Sequence, residues 1–181
     1  VESGSELKKR LFRWAVKTGR KVARLESDKK RASLALKIKH RIADEMVFSK
    51  IRQNMGGRLR FTISGGAPLA AELCEFFHAC GIKILEGYGL SETTCAIAVN
   101  RPDDFQFSTV GRPIAQTQFR IAEDGEICLK SKKLFQGYWK LAEETKEALQ
   151  DGWFHTGDVG FVDPQGYLHI TDRKKDLIVT S

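Results

Sequence analysis

The stretch from Arg58 to Glu86 constrains the fold more than any other feature, because it predicts strand, turn, helix and strand in immediate succession. RLRFTIS and IKILEG have strand composition, GGAP is turn sequence, and LAAELCEFFHAC has helical spacing. The expected buried stripe of this helix is Leu69, Leu73, Phe76 and Cys80. Pro68 suits the first helical turn and Gly81 a left-handed helix end. A unit of about 30 residues in this order predicts that Phe61–Ser64 and Ile82–Glu86 are parallel neighbours with a right-handed crossover.

The segments on either side differ from this unit. After Thr93 the sequence alternates short strand-like segments with turns, interrupted by one helical segment, LAEETKEAL. Helical spacing also places Leu7, Leu11, Trp14, Thr18, Val22 and Leu25 on one helix and Leu34, Ile38 and Ile42 on a second. We therefore expect an α/β fold: two basic amphipathic N-terminal helices, a parallel strand–helix–strand portion, and a small distorted β-barrel-like subdomain.

The charge is divided unevenly along the 181 residues. Residues 1–60 hold 18 Lys and Arg against 6 Asp and Glu, a net +12, whereas residues 61–181 hold 12 against 17, a net −5. This shift, together with Gly56 and Gly57, indicates a boundary. The predicted division is 1–57, a basic helical segment; 58–100, the strand–helix–strand portion; 101–176, the β subdomain; and 177–181, the start of a further domain.

The cellular setting follows from what the sequence contains. Its apolar runs are far shorter than the roughly 20 residues that cross a bilayer, and VESGSELKKR lacks the apolar core of a signal peptide. Cys74, Cys80, Cys95 and Cys128 have no zinc-site spacing, so we expect four free thiols in a reducing, cytoplasmic setting.

Two glycine-containing turns follow the strands of the central unit. Ser64 to Pro68 and Gly87 to Glu92 are expected on one rim, because ligands of open parallel sheets bind beyond the carboxyl ends of the strands. Tyr88 has the chemistry to stack on a base, Ser91 to contact a phosphate and Glu92 to hold Mg²⁺. Ordinary loop chemistry remains the alternative for each turn.

Several motifs in order carry a resemblance to a known family. GYGLSETT, VGRPI, GEICLKS with GYW downstream, DGWFHTGDVG and GYLHITDRKKDLIVTS resemble those of the adenylate-forming acyl-CoA synthetases, also called the AMP-binding or luciferase-like superfamily. MVFSKIRQNMGGRLRFTISGGAPL is similar to the long-chain fatty acid branch. The resemblance covers residues 46–181 strongly and residues 6–45 weakly.

This resemblance implies roles for particular residues. Ser64, Gly65, Gly66, Ala67 and Pro68 would supply contacts to adenine and ribose. Gly87 and Gly89 would flank Tyr88 stacked on adenine, Ser91 would contact the α-phosphate, and Glu92 would bind Mg²⁺. Asp158 and Arg173 would contact the ribose hydroxyls, and Lys175 would lie at a hinge.

Each assignment has a structural alternative. Asp158 has the sequence context of a turn aspartate that caps local backbone, Arg173 that of a partner for Asp172 or Asp176, and Glu92 that of a helix cap. His155 is expected to be structural, because a carboxylate substrate is already a nucleophile and needs no base.

The implied reaction uses ATP, Mg²⁺, a fatty acid and coenzyme A. The acid would attack the α-phosphate to give an acyl-adenylate, and the coenzyme A thiol would then displace AMP. The family's upstream phosphate loop and C-terminal lysine are not among these residues, so the chain is expected to be a fragment that is inactive alone.

Other functions stay open at this point. Another adenylating enzyme, such as an aryl-CoA ligase or a peptide-synthetase adenylation module, would share the nucleotide motifs. A non-catalytic module would use residues 1–60 on an anionic membrane, whereas the absence of a recognised nucleic-acid motif argues against nucleic acid.

Overall fold

A computed structural model of the chain describes residues 5–114 and 116–176. The chain divides into two compact units. Within the described residues, the first comprises 5–64, 68–85 and 102–107, and the second comprises 65–67, 86–101 and the residues from 108 onward. The units interleave along the sequence, and the division at residues 57 and 100 stays a prediction.

Helices dominate the first unit, as the periodicity predicted. They are α1 (Glu6–Ser27), α2 (Leu34–Ala43), α3 (Ser49–Asn54) and α4 (Ala71–Ala79), with a π-helical turn, Asp44–Phe48, joining α2 to α3. Arg52 ties this turn to the end of α4, because its guanidinium donates to both carboxylate oxygens of Asp44, at 2.6 and 2.8 Å, and to the Cys80 carbonyl at 2.8 Å.

The large apolar residues that helical spacing placed together on α1 and α2 are not the residues that the structure buries, although Thr18 of that α1 set is buried. The buried residues of α1 are small, namely Ala15, Thr18, Gly19, Ala23 and Ser27. Leu7 is 77% exposed. On α2, Leu34, Ile38 and Ile42 are all exposed, and Ala43 is buried instead. Small side chains are selected because they let helices approach closely, as at Ala15, which shares a core with Ala79 and Phe48.

The central helix corrects a second expectation. Helix α4 begins at Ala71, so Pro68 lies in the preceding loop and not in the first helical turn. Of the expected stripe, Cys80 is buried but Leu73 is 43% exposed. The buried residues within α4 are Cys74, Glu75, His78 and Ala79. Gly81 does adopt a left-handed conformation beyond the helix, with φ of 78°.

Strands β1 (Phe61–Ser64), β2 (Lys83–Leu90), β3 (Cys95–Val99) and β4 (Arg112–Pro113) form a sheet in that order. Strands β1 and β2 are neighbours joined through α4, as predicted. Strand β2 continues through Gly87, Tyr88 and Gly89, which were expected to form a turn, and the chain bends only at the 3₁₀ turn Ser91–Thr93. The strand continues because β3 folds back antiparallel to it, pairing Tyr88 with Ala98.

Two glycines permit close backbone contacts in the second unit. A Cβ atom on Gly89 would lie 2.3 Å from the Cys95 carbonyl oxygen, so only glycine lets β3 pair there. Gly111, in the VGRPI motif, has φ of 86°, and a Cβ atom there would lie 2.0 Å from the Val99 carbonyl carbon. These contacts fix the course of the chain at the end of β2 and beside β3.

The remaining strands form an antiparallel sheet in the second unit. They are β5 (Gln118–Ile121), β6 (Glu126–Lys130), β7 (Leu149–Gln150), β8 (Trp153–Val162) and β9 (Leu168–Arg173), and helix α5 (Ala142–Ala148) precedes β7. The order is β5-β6-β8-β7, with β9 also paired to β8. The core of this unit contains Tyr88, Ile97, Ala98, Ile127, Leu129, Phe154 and Leu168. The sheet agrees with the expected β subdomain, and its barrel-like character stays a prediction.

The chain beyond β9 forms a 3₁₀ turn, Lys174–Asp176, and the predicted final strand and further domain at 177–181 lie outside the described residues. Across the part of the chain that the structure describes, no helix has the length and apolar character needed to cross a membrane.

Candidate functional site

Asp158 is the centre of a buried polar cluster in the second unit. It lies inside strand β8, so the alternative of a turn aspartate is wrong. Its side chain is 6% exposed, and its two oxygens accept from different donors, Oδ2 from the Tyr88 hydroxyl at 2.5 Å and Oδ1 from Arg173 Nε at 3.0 Å. The register of the strands explains the second contact, because β8 and β9 pair Asp158 directly with Arg173.

Tyr88 contributes both its ring and its hydroxyl to this unit. The residue is 9% exposed and belongs to the hydrophobic core. Burial raises the pKa of its phenol, and the hydrogen bond to the Asp158 carboxylate raises it further. The phenol therefore remains a hydrogen-bond donor at physiological pH, whereas stacking of the ring on adenine stays a prediction.

Arg173 joins the cluster from strand β9. Its side chain pairs with Asp158, and only its backbone N–H donates to Asp172, so the expected alternative of a side-chain pair with Asp172 is wrong. The other alternative, Asp176, has a side chain outside those that the structure describes. The guanidinium is 66% exposed. One edge of Arg173 thus orients Asp158 while most of the side chain faces outward.

The predicted turn from Ser64 to Pro68 is divided between the two units, with residues 65–67 in the second unit. Gly65 approaches β2 closely, since a Cβ atom on it would lie 3.0 Å from the Gly87 carbonyl oxygen. Gly66 and Ala67 are exposed beside it in sequence. In the first unit, Ser64 is the last residue of β1 and Pro68 is an exposed loop residue.

Glu92 lies in the 3₁₀ turn that follows β2. Its Oε1 accepts from the Tyr138 hydroxyl at 2.8 Å, and its backbone carbonyl accepts from the Phe135 N–H at 2.7 Å. Within residues 5–114 and 116–176, no hydrogen bond or ion pair joins Glu92 to the cluster around Asp158. Ser91, next to it, is exposed.

A second buried carboxylate, Glu126 on β6, organises another network. It accepts from His155 Nδ1 at 2.9 Å, Lys174 Nζ at 3.0 Å and the Gly157 N–H at 2.8 Å. Burial alone would raise the pKa of Glu126, but these three donors outweigh it and the pKa lies below its ordinary value. Lys175, the predicted hinge residue, follows Lys174 and is exposed.

The Glu126 network also brings a thiol close to an imidazole. Ligand-capable atoms of Glu126, Cys128 and His155 lie within 4.8 Å of one another. A cation there would have to displace the Lys174 ammonium, and burial raises the pKa of the Cys128 thiol, which disfavours the thiolate that metals bind. These contacts favour a structural role, in agreement with the expectation for His155.

Sequence reasoning missed Tyr138, Glu126 and Lys174 as participants. Tyr138 lies in the GYW motif, which is part of the family resemblance. Nothing in the sequence indicates that it contacts Glu92, which lies 46 positions earlier. Lys174 is one of two adjacent lysines, and only the strand register decides which of them reaches Glu126.

Comparisons with known proteins identify the family. The model of the AMP-binding enzyme family matches residues 12–139. The chain is 47% identical over 148 residues to the long-chain-fatty-acid–CoA ligase FadD15 of Mycobacterium bovis, a match that covers 82% of this chain and 25% of that protein.

Solved structures show the same fold. The ATP-bound RpMatB-BxBclM chimera B3 matches with a TM-score of 0.65 and 34% identity over 74% of this chain and 30% of that one. The MenE synthetase of Bacillus subtilis, in complex with ATP and magnesium ion, matches with a TM-score of 0.62 and 28% identity over 67% of this chain and 28% of that one.

The present chain spans about a quarter of the length of the curated relatives it matches. The family model, however, covers more than half of the 181 residues. This match shows that the chain belongs to the AMP-binding enzyme family.

Proposed function

We propose that the chain is part of an AMP-forming acyl-CoA ligase that activates long-chain fatty acids. The observation that carries the proposal is the buried Asp158 with a different donor on each carboxylate oxygen, which leaves lone pairs on both for the two ribose hydroxyls of ATP. The long-chain preference is supported by the names of the relatives, FadD15 among them.

The proposed reaction has two displacements. A carboxylate oxygen of the fatty acid attacks the α-phosphorus of ATP, the bond to the β-phosphate breaks, and pyrophosphate leaves. The coenzyme A sulfur then attacks the acyl carbon, AMP leaves, and the thiol proton passes to solvent. Positioning and charge stabilisation account for most of the acceleration in chemistry of this kind, so the residues of the chain act chiefly by binding and orienting.

Each residue has a place in this scheme. Tyr88 would stack on adenine beside Gly87 and Gly89, with Ser64 to Pro68 contributing backbone contacts. Ser91, which is exposed, would donate to the α-phosphate. Arg173 would add a contact to the ribose through the exposed part of its side chain.

Glu92 is the proposed magnesium ligand. Mg²⁺ is commonly held by one or two carboxylates together with substrate phosphates. Glu92 fits this pattern, because its half-buried carboxylate accepts from a neutral phenol and is not paired with a cation among the described side chains. When bound, the ion would reduce the negative charge on the phosphates that the incoming carboxylate must approach.

The test is acid-dependent exchange of pyrophosphate into ATP by the full-length protein. We expect Asp158→Ala to raise the KM for ATP about tenfold through lost hydrogen bonds to ribose. We expect Glu92→Ala to lower kcat by about 100-fold, because a metal contact matters most as charge redistributes in the transition state. Glu144→Ala, on the exposed face of α5, is the matched control and should behave as wild type.

The choice of acid separates this proposal from its rivals. Palmitate, benzoate and an amino acid should be compared in the same exchange assay. Preference for benzoate would identify an aryl-CoA ligase, and preference for the amino acid a peptide-synthetase module. Wild-type kinetics in both the Asp158 and Glu92 variants would remove these residues from the site.

We further propose that α2 makes peripheral contact with an anionic membrane surface. Leu34, Ile38 and Ile42 form an exposed apolar stripe, at 75%, 54% and 45% exposure. At about 100° per residue, Lys37 and Arg41 flank this stripe on one side and Lys39 on the other. Apolar residues bordered by basic ones are typical of helices that lie in a membrane interface.

A further inference from the structure

Tyr138 is the only described residue whose side chain donates a hydrogen bond to the Glu92 carboxylate. The two residues lie on different segments of the second unit, Glu92 after β2 and Tyr138 in the loop between β6 and α5. The phenol donates to Oε1 at 2.8 Å, and among the described residues nothing donates to Oε2. The contact therefore holds Oε1 and leaves Oε2 without a hydrogen-bond donor among the described residues.

Tyr138 is held in place through both its backbone and its ring. Its backbone N–H donates to Thr145 Oγ1 at 2.9 Å, and that hydroxyl donates to the Leu141 carbonyl at 2.7 Å, which anchors the loop to α5. The ring packs edge-on against Phe135 with centroids 4.7 Å apart, and Phe135 packs on the buried Phe154. A donor held this firmly constrains its acceptor.

The loop also contacts the backbone of the same turn. The Phe135 N–H donates to the Glu92 carbonyl at 2.7 Å, so one loop fixes both the main chain and the side chain of Glu92. A loop that served only to cover the core would need the contact from Phe135 but not the phenol on the carboxylate. The second contact requires another explanation.

The protonation of the phenol suits this task. Burial and, to a smaller extent, the neighbouring Glu92 carboxylate together raise the pKa of Tyr138 to about 12. The hydroxyl thus stays protonated throughout the physiological range, and it can donate whenever the carboxylate is ionised.

We propose that Tyr138 is a positioning residue that orients Glu92 so that Oε2 is presented to the magnesium ion of the nucleotide. This inference rests on the proposed function, in which Glu92 binds that ion. Partners of metal-ligating side chains orient the ligand, and their loss commonly weakens metal binding 10- to 100-fold.

The experiment compares Tyr138→Phe, Glu92→Gln and the double variant in the full-length protein, with Trp139→Phe as the control. Tyr138→Phe keeps the ring that packs on Phe135 and removes only the hydroxyl. Trp139 is the next residue, is 86% exposed, and makes no contact with Glu92 among the described residues. Calorimetry measures the Kd for ATP with Mg²⁺ and with EDTA, and pyrophosphate exchange gives the Mg²⁺ concentration for half-maximal rate.

Tyr138→Phe should raise the half-maximal Mg²⁺ concentration about tenfold and weaken binding of Mg·ATP by a similar factor. The Kd for ATP in EDTA should not change, and Trp139→Phe should match wild type throughout. In the Glu92→Gln background, Tyr138→Phe should have no additional effect, because its action passes through Glu92.

Three results would overturn the inference. A normal Mg²⁺ dependence of Tyr138→Phe beside an altered Glu92→Gln would reject Tyr138 and leave the proposed function standing. An effect of Tyr138→Phe that persists in the Glu92→Gln background would show a role unrelated to Glu92. A normal Mg²⁺ dependence of Glu92→Gln would reject both the inference and the magnesium role of Glu92.

Discussion

Tyr88 and Tyr138 play similar parts at the scale of single residues. Each donates its hydroxyl to a carboxylate that the family resemblance places at the nucleotide, Asp158 in one case and Glu92 in the other. Both phenols have raised pKa values, so both are permanent donors near neutral pH. The sequence motifs single out the two carboxylates as candidates, whereas the hydrogen bonds from the tyrosine hydroxyls emerge only from the fold.

Glu126 should make the unfolding free energy of the second unit decrease at acidic pH. Its pKa is lowered in the folded chain, so its contribution is fully present above the ordinary value of about 4.5 and is lost as the pH falls through the lower folded value. Glu126→Gln should cost about 1–3 kcal/mol at pH 7, because the buried carboxylate that accepts from His155, Lys174 and the Gly157 N–H loses its charge.

Urea unfolding of the chain between pH 3 and 7 measures this effect. The difference in unfolding free energy between wild type and Glu126→Gln should be constant above about pH 5.5 and should shrink below about pH 4.5. Glu123→Gln, at an exposed position three residues away, should change little. A difference that does not depend on pH would contradict the charge argument.

At the scale of elements, small residues decide how α1 packs. Gly19 is buried on α1, and a Cβ atom there would lie 2.7 Å from Ala79 Cβ and 2.9 Å from Phe48 Cζ. Alanine is the better helix former by about 1 kcal/mol, but overpacking of a tight contact costs about 1–3 kcal/mol. The crowded atoms on Ala79 cannot move without shifting α4, so the steric cost should prevail.

We therefore predict that Gly19→Ala destabilises the first unit by about 1–2 kcal/mol. Circular dichroism during urea unfolding gives the midpoint and slope. Lys21→Ala, at an exposed position two residues along the same helix, gains helix propensity without a clash and should be neutral or slightly stabilising. A higher midpoint for Gly19→Ala would mean that α1 and α4 are farther apart than described.

The elements also show what sequence patterns can predict. Helical periodicity located α1, α2 and α4, but it favoured large apolar residues for the buried faces, whereas close helix packing selects small ones such as Ala15 and Gly19. Strand β2 was predicted too short, because glycine composition indicates a turn until a partner strand is known to pair with it.

The resemblance names Asp158 and Glu92 as carboxylates of the site, which stays a prediction, whereas their hydrogen bonds could not be predicted from the sequence. The contact between Asp158 and Arg173 depends on the register of β8 and β9. The sequence alone does not determine this register. Arg173 was expected to contact either ribose or a neighbouring aspartate. Its ion pair with Asp158, the other residue predicted to contact ribose, was not expected.

At the scale of the whole molecule, the excess of basic charge and a stripe of exposed apolar side chains occur in the same N-terminal segment. The net +12 of residues 1–60 accompanies a helix, α2, whose large apolar residues are exposed rather than buried. Burying those side chains in a bilayer interface would remove apolar surface from water, while the flanking basic residues would meet anionic headgroups. Under the proposed function, a fatty acid that partitions into bilayers would then lie close to the protein that activates it.

This arrangement predicts salt-sensitive binding of the chain to anionic vesicles. Replacing Lys37, Lys39 and Arg41 together by glutamine should weaken binding about 100-fold, because each basic residue near an anionic surface contributes about 1 kcal/mol. The triple variant of Lys130, Lys132 and Lys140 removes the same charge from exposed positions of the second unit and should bind almost normally. Co-sedimentation with phosphatidylserine-containing and with purely zwitterionic vesicles, at low and high salt, gives the comparison. Equal losses in the two triple variants would mean that only net charge matters, and binding without preference for anionic lipid would reject α2 as a membrane-contacting helix.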